Sequence, residues 1–378
     1  MNAVGPDRPP LTGAAPGGRT AAAPSADKRR QLAGREARAA WLLMLPALVV
    51  MAVVALYPLG QVVSLSVTDA RFATARVERS FVGLENYRRL LSLTMRRLPP
   101  VVDPDTGLQE LRDGRPRYES WVRVLPREPV RYSAVYEFSA FGSRWVVGAT
   151  TPAFIRAAVD TVVFTVWSVA LETILGMIIA LVLSVEFVGR GLLRTAMLLP
   201  WAVVTVVSAR IWEWMLQPTR VGFFNTLLYD LGLGDGNIGF FQTASMQLPT
   251  MIAMDVWKTT PFMALLFLAG LAVIPKELYE AAEIDGAGAV RRFTSITLPL
   301  MAPAIAVALI FRTLDALRVF DVFQVVLGGQ RYSLASYTQS VLIDQREVGL
   351  SSAASVVIFL IILVFAVSYM RMLKVDTR

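Results

Sequence analysis

Apolar residues gather in six long runs, at residues 40–67, 159–185, 193–216, 249–273, 298–317 and 353–373. Each reaches the roughly 20 residues that a helix needs to cross a bilayer, and the fifth carries a polar extension to residue 325. Lipid offers no partner to open backbone groups, so these runs predict spanning helices packed as a bundle. A polar stretch, residues 68–158, separates the first run from the second. Within it short runs of apolar residues recur between polar ones (Trp121, Val122, Val124; Tyr132, Val135, Tyr136, Phe138), which predicts a small β-containing insertion. Residues 1–39 are polar and rich in Pro, Gly and Ala, with Lys28, Arg29, Arg30, Arg35 and Arg38 towards the end. That composition predicts a disordered tail. A cleaved signal peptide fits less well, because the charged region is too long and the next run is of spanning length. The expected organisation is a tail (1–39), a first span (40–67), an insertion (68–158) and a core of five further spans (159–378), with a polar loop at 275–297.

That polar loop holds good helix formers from Lys276 to Asp285, followed by Gly286 and Gly288. A short amphipathic helix outside the bilayer is expected, burying Tyr279, Ala282 and Ile284 and ending at the glycines.

Composition narrows the chemistry. The chain is 378 residues long, 55% hydrophobic and only 17% charged, with mean hydropathy +0.52, as expected of a polytopic membrane protein. It contains neither cysteine nor histidine. Disulfides, thiolate nucleophiles, histidine bases and Cys/His metal sites are therefore excluded. The net charge is +8, and a basic balance can mean nucleic acid. Here the excess sits beside the apolar runs, where orientation in the membrane is the commoner cause. With the termini, the loop near Gly189 and the loop at 275–297 on one side, that side carries fifteen Lys and Arg, including Arg190, Arg194, Lys276, Arg291 and Arg292. The opposite short loops carry three (Arg220, Arg331, Arg346). Both termini and the loop at 275–297 are thus expected in the cytoplasm, and residues 68–158 outside.

Gly234, Gly236 and Gly239 form a G-x-G-x-x-G with no strand before it, which reads as a turn-rich loop and not as a nucleotide site. No G-x-x-x-x-G-K-[ST] occurs. Several charges fall inside apolar runs, where each costs about 2.5–3.5 kcal/mol on insertion scales. Asp255 and Lys258 are three apart and expected to pair. Arg312, Asp315, Arg318 and Asp321 recur at every third residue, a charged ladder beginning about 20 Å along a helix from Pro299. Two roles are open for it: a brace between helices, or a surface that reads substrate.

The loop at 275–297 carries Glu280-Ala281-Ala282, then Gly286, then Ile296-Thr297-Leu298-Pro299. This spacing resembles the "EAA" loop of permease subunits of bacterial ABC importers. The stretch Phe81-Val82-Gly83-Leu84-Glu85-Asn86-Tyr87 resembles a sequence that follows the first core helix of sugar permeases. Asp255-Val256-Trp257-Lys258-Thr259-Thr260-Pro261-Phe262 resembles the family's D/N-x-W-x-x-x-P-F segment, and Phe320-Asp321 with Gly328-Gly329-Gln330 resembles its "FD…GGP" ending, with Gln330 for proline. The resemblance covers about residues 40–90 and 155–375. It is to the maltose/trehalose/glycerol-phosphate type, and to the larger, first permease subunit of a pair.

The resemblance implies an all-α polytopic protein: a six-helix bundle of the ABC type I importer kind in the bacterial cytoplasmic (inner) membrane, with the small insertion between helices 1 and 2. It implies coupling to an ATPase through Glu280, Ala281, Ala282, Asp285, Gly286 and Arg291. A sugar site is implied at Asp255, Thr259, Phe262, Phe311, Leu314 and Asp315, with carboxylates where the maltose-type site has amides, and Thr259 where it has glycine. The implied partners are a second homologous permease, a dimeric ATP-binding subunit that holds ATP and magnesium, and an extracytoplasmic sugar-binding protein, with no cofactor or metal in this chain, no catalytic residue and no nucleic acid. The insertion stands where maltose-type permeases carry a larger domain that touches the binding protein. Two alternatives stay open: import of glycerol phosphate, and an ion-coupled secondary transporter using Asp255, Glu172 or Asp315.

Overall fold

The computed structural model describes residues 26–72, 79–105, 107–112 and 114–372. The expected tail up to residue 25, with Lys374 and Arg378, lies outside them. The chain divides into two compact units, Met1–Gly60 and Gln61–Arg378. The first holds helix α1 (Ala26–Met51) and a π-helical turn, Ala52–Leu56, which leads into α2 (Tyr57–Ser66). Residues 26–39 are therefore helical, where a disordered tail was expected. The Ala, Leu, Gln and Arg residues of this stretch are strong helix formers that simply extend the apolar run backwards.

The second unit begins with the insertion. After α3 (Glu85–Leu91) come β1 (Leu93–Leu98), the small hairpin β2 (Leu111–Arg112) and β3 (Arg115–Pro116), helix α4 (Trp121–Val124), and the hairpin β4 (Ser133–Ala140) and β5 (Ser143–Ala149). Strands β1, β5 and β4 form one antiparallel sheet in that order. Within this β-containing insertion, Trp121–Val124 is a helical turn. Trp121 and Val124 are three apart and both face the small core of Leu98, Leu125 and Val146, a spacing that only a helix brings to one side.

Helix α5 (Pro152–Ser184) starts seven residues before the predicted span, with Pro152 in its first turn. Then follow α6 (Arg190–Met197), α7 (Leu199–Ala202), α8 (Thr205–Met215), α9 (Phe223–Asp230), α10 (Ala244–Leu271), α11 (Lys276–Ile284), α12 (Ala289–Arg292), α13 (Leu298–Ala316), α14 (Leu334–Ile343) and α15 (Val348–Met372). Among the described residues five helices are long and apolar enough to span a membrane: Arg38–Ser66, Pro152–Ser184, Ala244–Leu271, Ala289–Ala316 and Val348–Arg371. The third predicted run is broken instead. Its halves, Arg190–Ala202 and Thr205–Met215, meet at 93°, because Val203 and Val204 are both extended.

Besides the small core of the insertion, three apolar clusters among the described residues hold the helices of the second unit. Near the sheet, Phe154 and Ala157 of α5 meet Leu334, Tyr337 and Val341 of α14 and Leu350, Ala353 and Ala354 of α15. In the middle, Phe164 packs edge-on to Phe323, beside Met251 and Met254 of α10. At the far end Met177, Met263, Phe267 and Met301 pack with Tyr279 and Phe293. Small residues allow close approach between helices without lipid: a Cβ on Gly176 would lie 2.9 Å from Met263 Cβ, and one on Gly270 would lie 2.7 Å from Ala304 Cβ.

A polar staple closes the sheet end. Asn86 Nδ2 donates to the Ser66 and Thr68 carbonyls, 2.8 Å each, taking up acceptors left where α2 stops. Gly349 N donates to Ala70 O at 3.0 Å; no side chain fits there, since its Cβ would lie 2.0 Å from Thr68 O. Glu347 faces Arg89 at 3.2 Å. Arg331 grips Asp160 of α5 through two bonds of 2.6 Å and donates to Ala244 O at 3.0 Å, joining the starts of α5 and α10.

Gly176→Leu should overfill the α5–α10 contact and cost about 1–3 kcal/mol or more. A lowered melting temperature of the detergent-purified protein is expected. Gly191→Leu, where a Cβ meets nothing within 4 Å, should leave it unchanged.

Candidate functional site

Where α5, α10 and α13 meet, one guanidinium gathers three carboxylates. Arg312 of α13 bonds Glu172 of α5 through Nε and, at 2.9 Å, through Nη2. Nη2 also bonds Asp255 of α10, and Nη1 reaches Asp315 at 2.9 Å. Thr259 Oγ1 bonds both Glu172 and the Asp255 carbonyl, the latter at 2.6 Å. Glu172 is fully buried, Arg312 and Asp255 nearly so, and the Asp315 side chain is 66% exposed. Arginine suits this place because its planar fork can serve several carboxylates from one fixed plane. Three helices are thereby tied at one depth.

Beside this cluster lies a cavity of about 260 Å³. Asp255, Thr259, Arg312 and Asp315 form one side; Trp201, Thr205 and Lys258 another; Arg318, Phe320 and Asp321 a third. The expected charged ladder does not wind along one helix. Helix α13 ends at Ala316, and the turn that follows folds Arg318 and Asp321 back onto the same cavity. Arg318 Nε donates to Leu314 O at 3.2 Å.

The expected Asp255–Lys258 pair does not form. Asp255 is taken by Arg312, and Lys258 Nζ donates to Val203 O at 2.9 Å and Trp201 O at 3.5 Å. These carbonyls lose helical partners at the 93° break, so a cation there satisfies open backbone and meets the negative end of α7. One turn further along α10, Phe262 stacks on Trp201, centroids 5.9 Å apart.

Of the six residues expected at a sugar site, Asp255, Thr259 and Asp315 line the cavity. Phe262 stands behind Trp201. Leu314 is half-buried elsewhere and Phe311 is 62% exposed. At about 100° per residue, a helix that turns Arg312 and Asp315 to the cavity turns Phe311 and Leu314 away. Glu172, named in the sequence only as a possible ion site, proves central. Its signal was an acid in an otherwise apolar run. Trp201 had none, since only the unforeseen break brings it here.

The second element is the loop at 275–297. Helix α11 ends with Gly286 at φ +75°, Ala287 N on Ala282 O at 2.8 Å and Gly286 N on Glu283 O at 3.0 Å. This is a Schellman motif, which calls for a residue free to adopt positive φ. Tyr279 Oη and Thr297 Oγ1 lie 2.9 Å apart, and Arg292 bonds Glu283 at 3.2 Å, clamping α11 to the start of α13. Tyr279 packs inward and Ala282 is half-buried. Ile284, expected to be buried, is 87% exposed, and Val290 is 77% exposed. Glu280, Ala281, Asp285 and Gly286 are exposed too, on the same short hairpin as Arg291.

Arg312→Met would leave Glu172 and Asp255 buried without a cation and should cost about 3–5 kcal/mol. Adding Glu172→Gln and Asp255→Asn should recover most of that loss. Thermal melting of the purified variants checks both.

Residues 145–375 match the family of binding-protein-dependent transport system inner membrane components. The trehalose/maltose transport system permease protein MalF of Thermococcus litoralis is 38% identical over 343 residues, covering 89% of this chain and 94% of that protein. The trehalose transport system permease protein SugA of Mycobacterium tuberculosis is 34% identical over 344 residues, 89% of each chain. Among solved structures, a bacterial ABC transporter involved in import of the acidic polysaccharide alginate shares the fold, with TM-score 0.64 over 93% of this chain and all of that one at 19% identity. A bacterial alginate ABC transporter with its pentasaccharide-bound periplasmic protein gives TM-score 0.54 at 26% identity, over 58% of this chain and 78% of that one.

Proposed function

The chain belongs to the family of binding-protein-dependent transport system inner membrane components, and we propose that as such an ABC permease it forms half of a membrane path for a neutral α-glucoside of the trehalose or maltose kind. A second, homologous permease supplies the other half, a dimeric ATP-binding subunit drives it, and an extracytoplasmic binding protein loads it. Both termini and the α11–α12 hairpin lie in the cytoplasm in this reading.

One observation carries it. Helix α13 runs unbroken from the clamped hairpin at Leu298 to the polar cavity at Arg312 and Asp315. A push on the exposed hairpin thus travels along a stiff rod of about 20 Å to the place where a sugar would sit. The driving subunit would meet Glu280, Ala281, Asp285, Gly286 and Arg291, with Ile284 and Val290 as apolar contacts. Closing and opening of that subunit would rock α13, and with it α5 and α10 through Arg312.

The cavity's chemistry suits hydroxyls. Carboxylates accept from sugar hydroxyls, Trp201 and Phe320 offer ring faces, and no deep well is needed, since a site in a path must also release. A phosphorylated cargo would want open cations. Here Arg312 is engaged by three carboxylates and Lys258 by two carbonyls, and Arg318 shares the cavity wall with Asp315 and Asp321, a lining whose acids disfavour glycerol phosphate. An ion-coupled carrier would need a carboxylate free to take the ion, and Arg312 holds both Glu172 and Asp255.

The test is uptake of labelled trehalose and maltose, with ATP turnover, by the complete transporter in proteoliposomes. Gly286→Leu forces a branched residue to positive φ, at about 1–2 kcal/mol, and should cut uptake at least about tenfold with the protein still inserted; Gly286→Asn, which tolerates that φ, should keep most of it. Glu280→Ala should lower uptake and stimulated ATP turnover together. Uptake driven by an ion gradient with no ATP would overturn the reading.

A further inference from the structure

The insertion carries a cleft that the transport path does not use. Its volume is about 520 Å³, within the range of roughly 300–1,000 Å³ usual for small-molecule sites. It opens between β3, α4 and the β4–β5 hairpin. Tyr118 and Trp121 line it; both are half-buried and rest on the Leu98, Leu125 and Val146 core. Around them stands a rim of charges that already answer one another. Arg144 of β5 lies 2.9 Å from Glu137 of β4, with its guanidinium 5.9 Å from the centre of the Tyr118 ring. Arg117 meets Glu110 at 2.7 Å and Glu119 meets Arg123 at 3.4 Å. Register sets Ser139 opposite Arg144 and Glu137 opposite Val146, so Glu137 and Arg144 are diagonal neighbours on one sheet face.

We propose that this cleft binds a neutral oligosaccharide, as a second saccharide site separate from the mid-membrane cavity. The choice of saccharide rests on the sugar reading above. The chemistry of the cleft supports it independently. An apolar ligand finds too polar a lining. An anion would have to displace the carboxylates already set on Arg117 and Arg144; among the described residues only Arg115 of the three lining arginines lacks an ion pair. A polyol needs no displacement. A guanidinium with one carboxylate keeps further N–H donors, and a carboxylate keeps further lone pairs, held at fixed positions by their pairing. The two rings supply faces for the C–H side of a sugar. Strand β5 ends at Ala149, two residues before α5, so a saccharide held here waits beside the start of a path-lining helix.

The experiment is saturation-transfer NMR of trehalose and maltotriose on the complete transporter in nanodiscs. Trp121→Ala should weaken maltotriose binding about tenfold, equivalent to about 1.4 kcal/mol. Trp121 also supports the module's core, so Glu137→Gln with Arg144→Gln, which alters only the rim, is the second variant and should show a loss of the same order. Asp255→Asn, in the other site, should leave this binding in place. The proposal fails if neither cleft variant changes the titration, if the signal disappears only with Asp255→Asn, or if trigalacturonate binds more tightly than maltotriose. Wild-type protein that binds maltotriose through the cleft yet imports no sugar would refute the transport reading and leave the cleft standing.

Discussion

The mutual placement of α5, α10 and α13 answers to the burial of Arg312. A cation buried within a spanning helix is tolerated only when it is paired, and its pairing here uses acids from two other helices. The arrangement fixes where α5, α10 and α13 stand along their lengths and how they are turned. Such a cluster adds little net stability over a well-packed apolar core. Its value lies in specifying one arrangement, because sliding any of the three helices by a turn would strand a charge in lipid. The polar cavity follows from the same cause, since Asp315 and Lys258 flank the cluster on the side where packing is left open.

The broken third span belongs to this feature. Non-helical backbone at membrane depth survives where it lines a cavity or is met by protein groups. The Trp201 and Val203 carbonyls satisfy that rule through Lys258, and the break in turn delivers Trp201 and Thr205 to the cavity wall. One residue of α10 thus closes the backbone account of another span. At the opposite end of α13 a different economy holds: the α11–α12 hairpin spends its inward face on Tyr279 and leaves Ile284 and Val290 open to a partner.

Much of this was legible in the chain. Run length alone found five of the spans, and a third-residue recurrence of charge brought Arg312, Asp315, Arg318 and Asp321 to attention together. The glycine after Glu280-Ala281-Ala282 read correctly as a helix end, because positive φ is a local demand. What stayed hidden was long-range. Asp255 was matched to Lys258, its neighbour on the helix, although the partner it takes is 57 residues away. Glu172 looked like one acid among apolar residues, with nothing near in sequence to mark it as a hub. The 93° break escaped because two valines in an apolar run are as compatible with a straight helix as with an extended joint. Which parts of the insertion are strand stayed open for the opposite reason: in a run of four such as Trp121–Val124 a period of 2 cannot be told from one of 3.6.

The chain's order of synthesis gives the Arg312 cluster a further meaning. Glu172, the break at Val203 and Asp255 all emerge before the guanidinium that settles the acids, and Lys258 emerges after the carbonyls it covers. Helices α5 and α10 therefore cannot reach their final pairing before α13 is made. The second and fourth spans must hold their acids near water, or near the insertion machinery, until the fifth has been made. Only then can all of them settle together, which makes the birth of this membrane protein a single late event instead of a helix-by-helix accumulation.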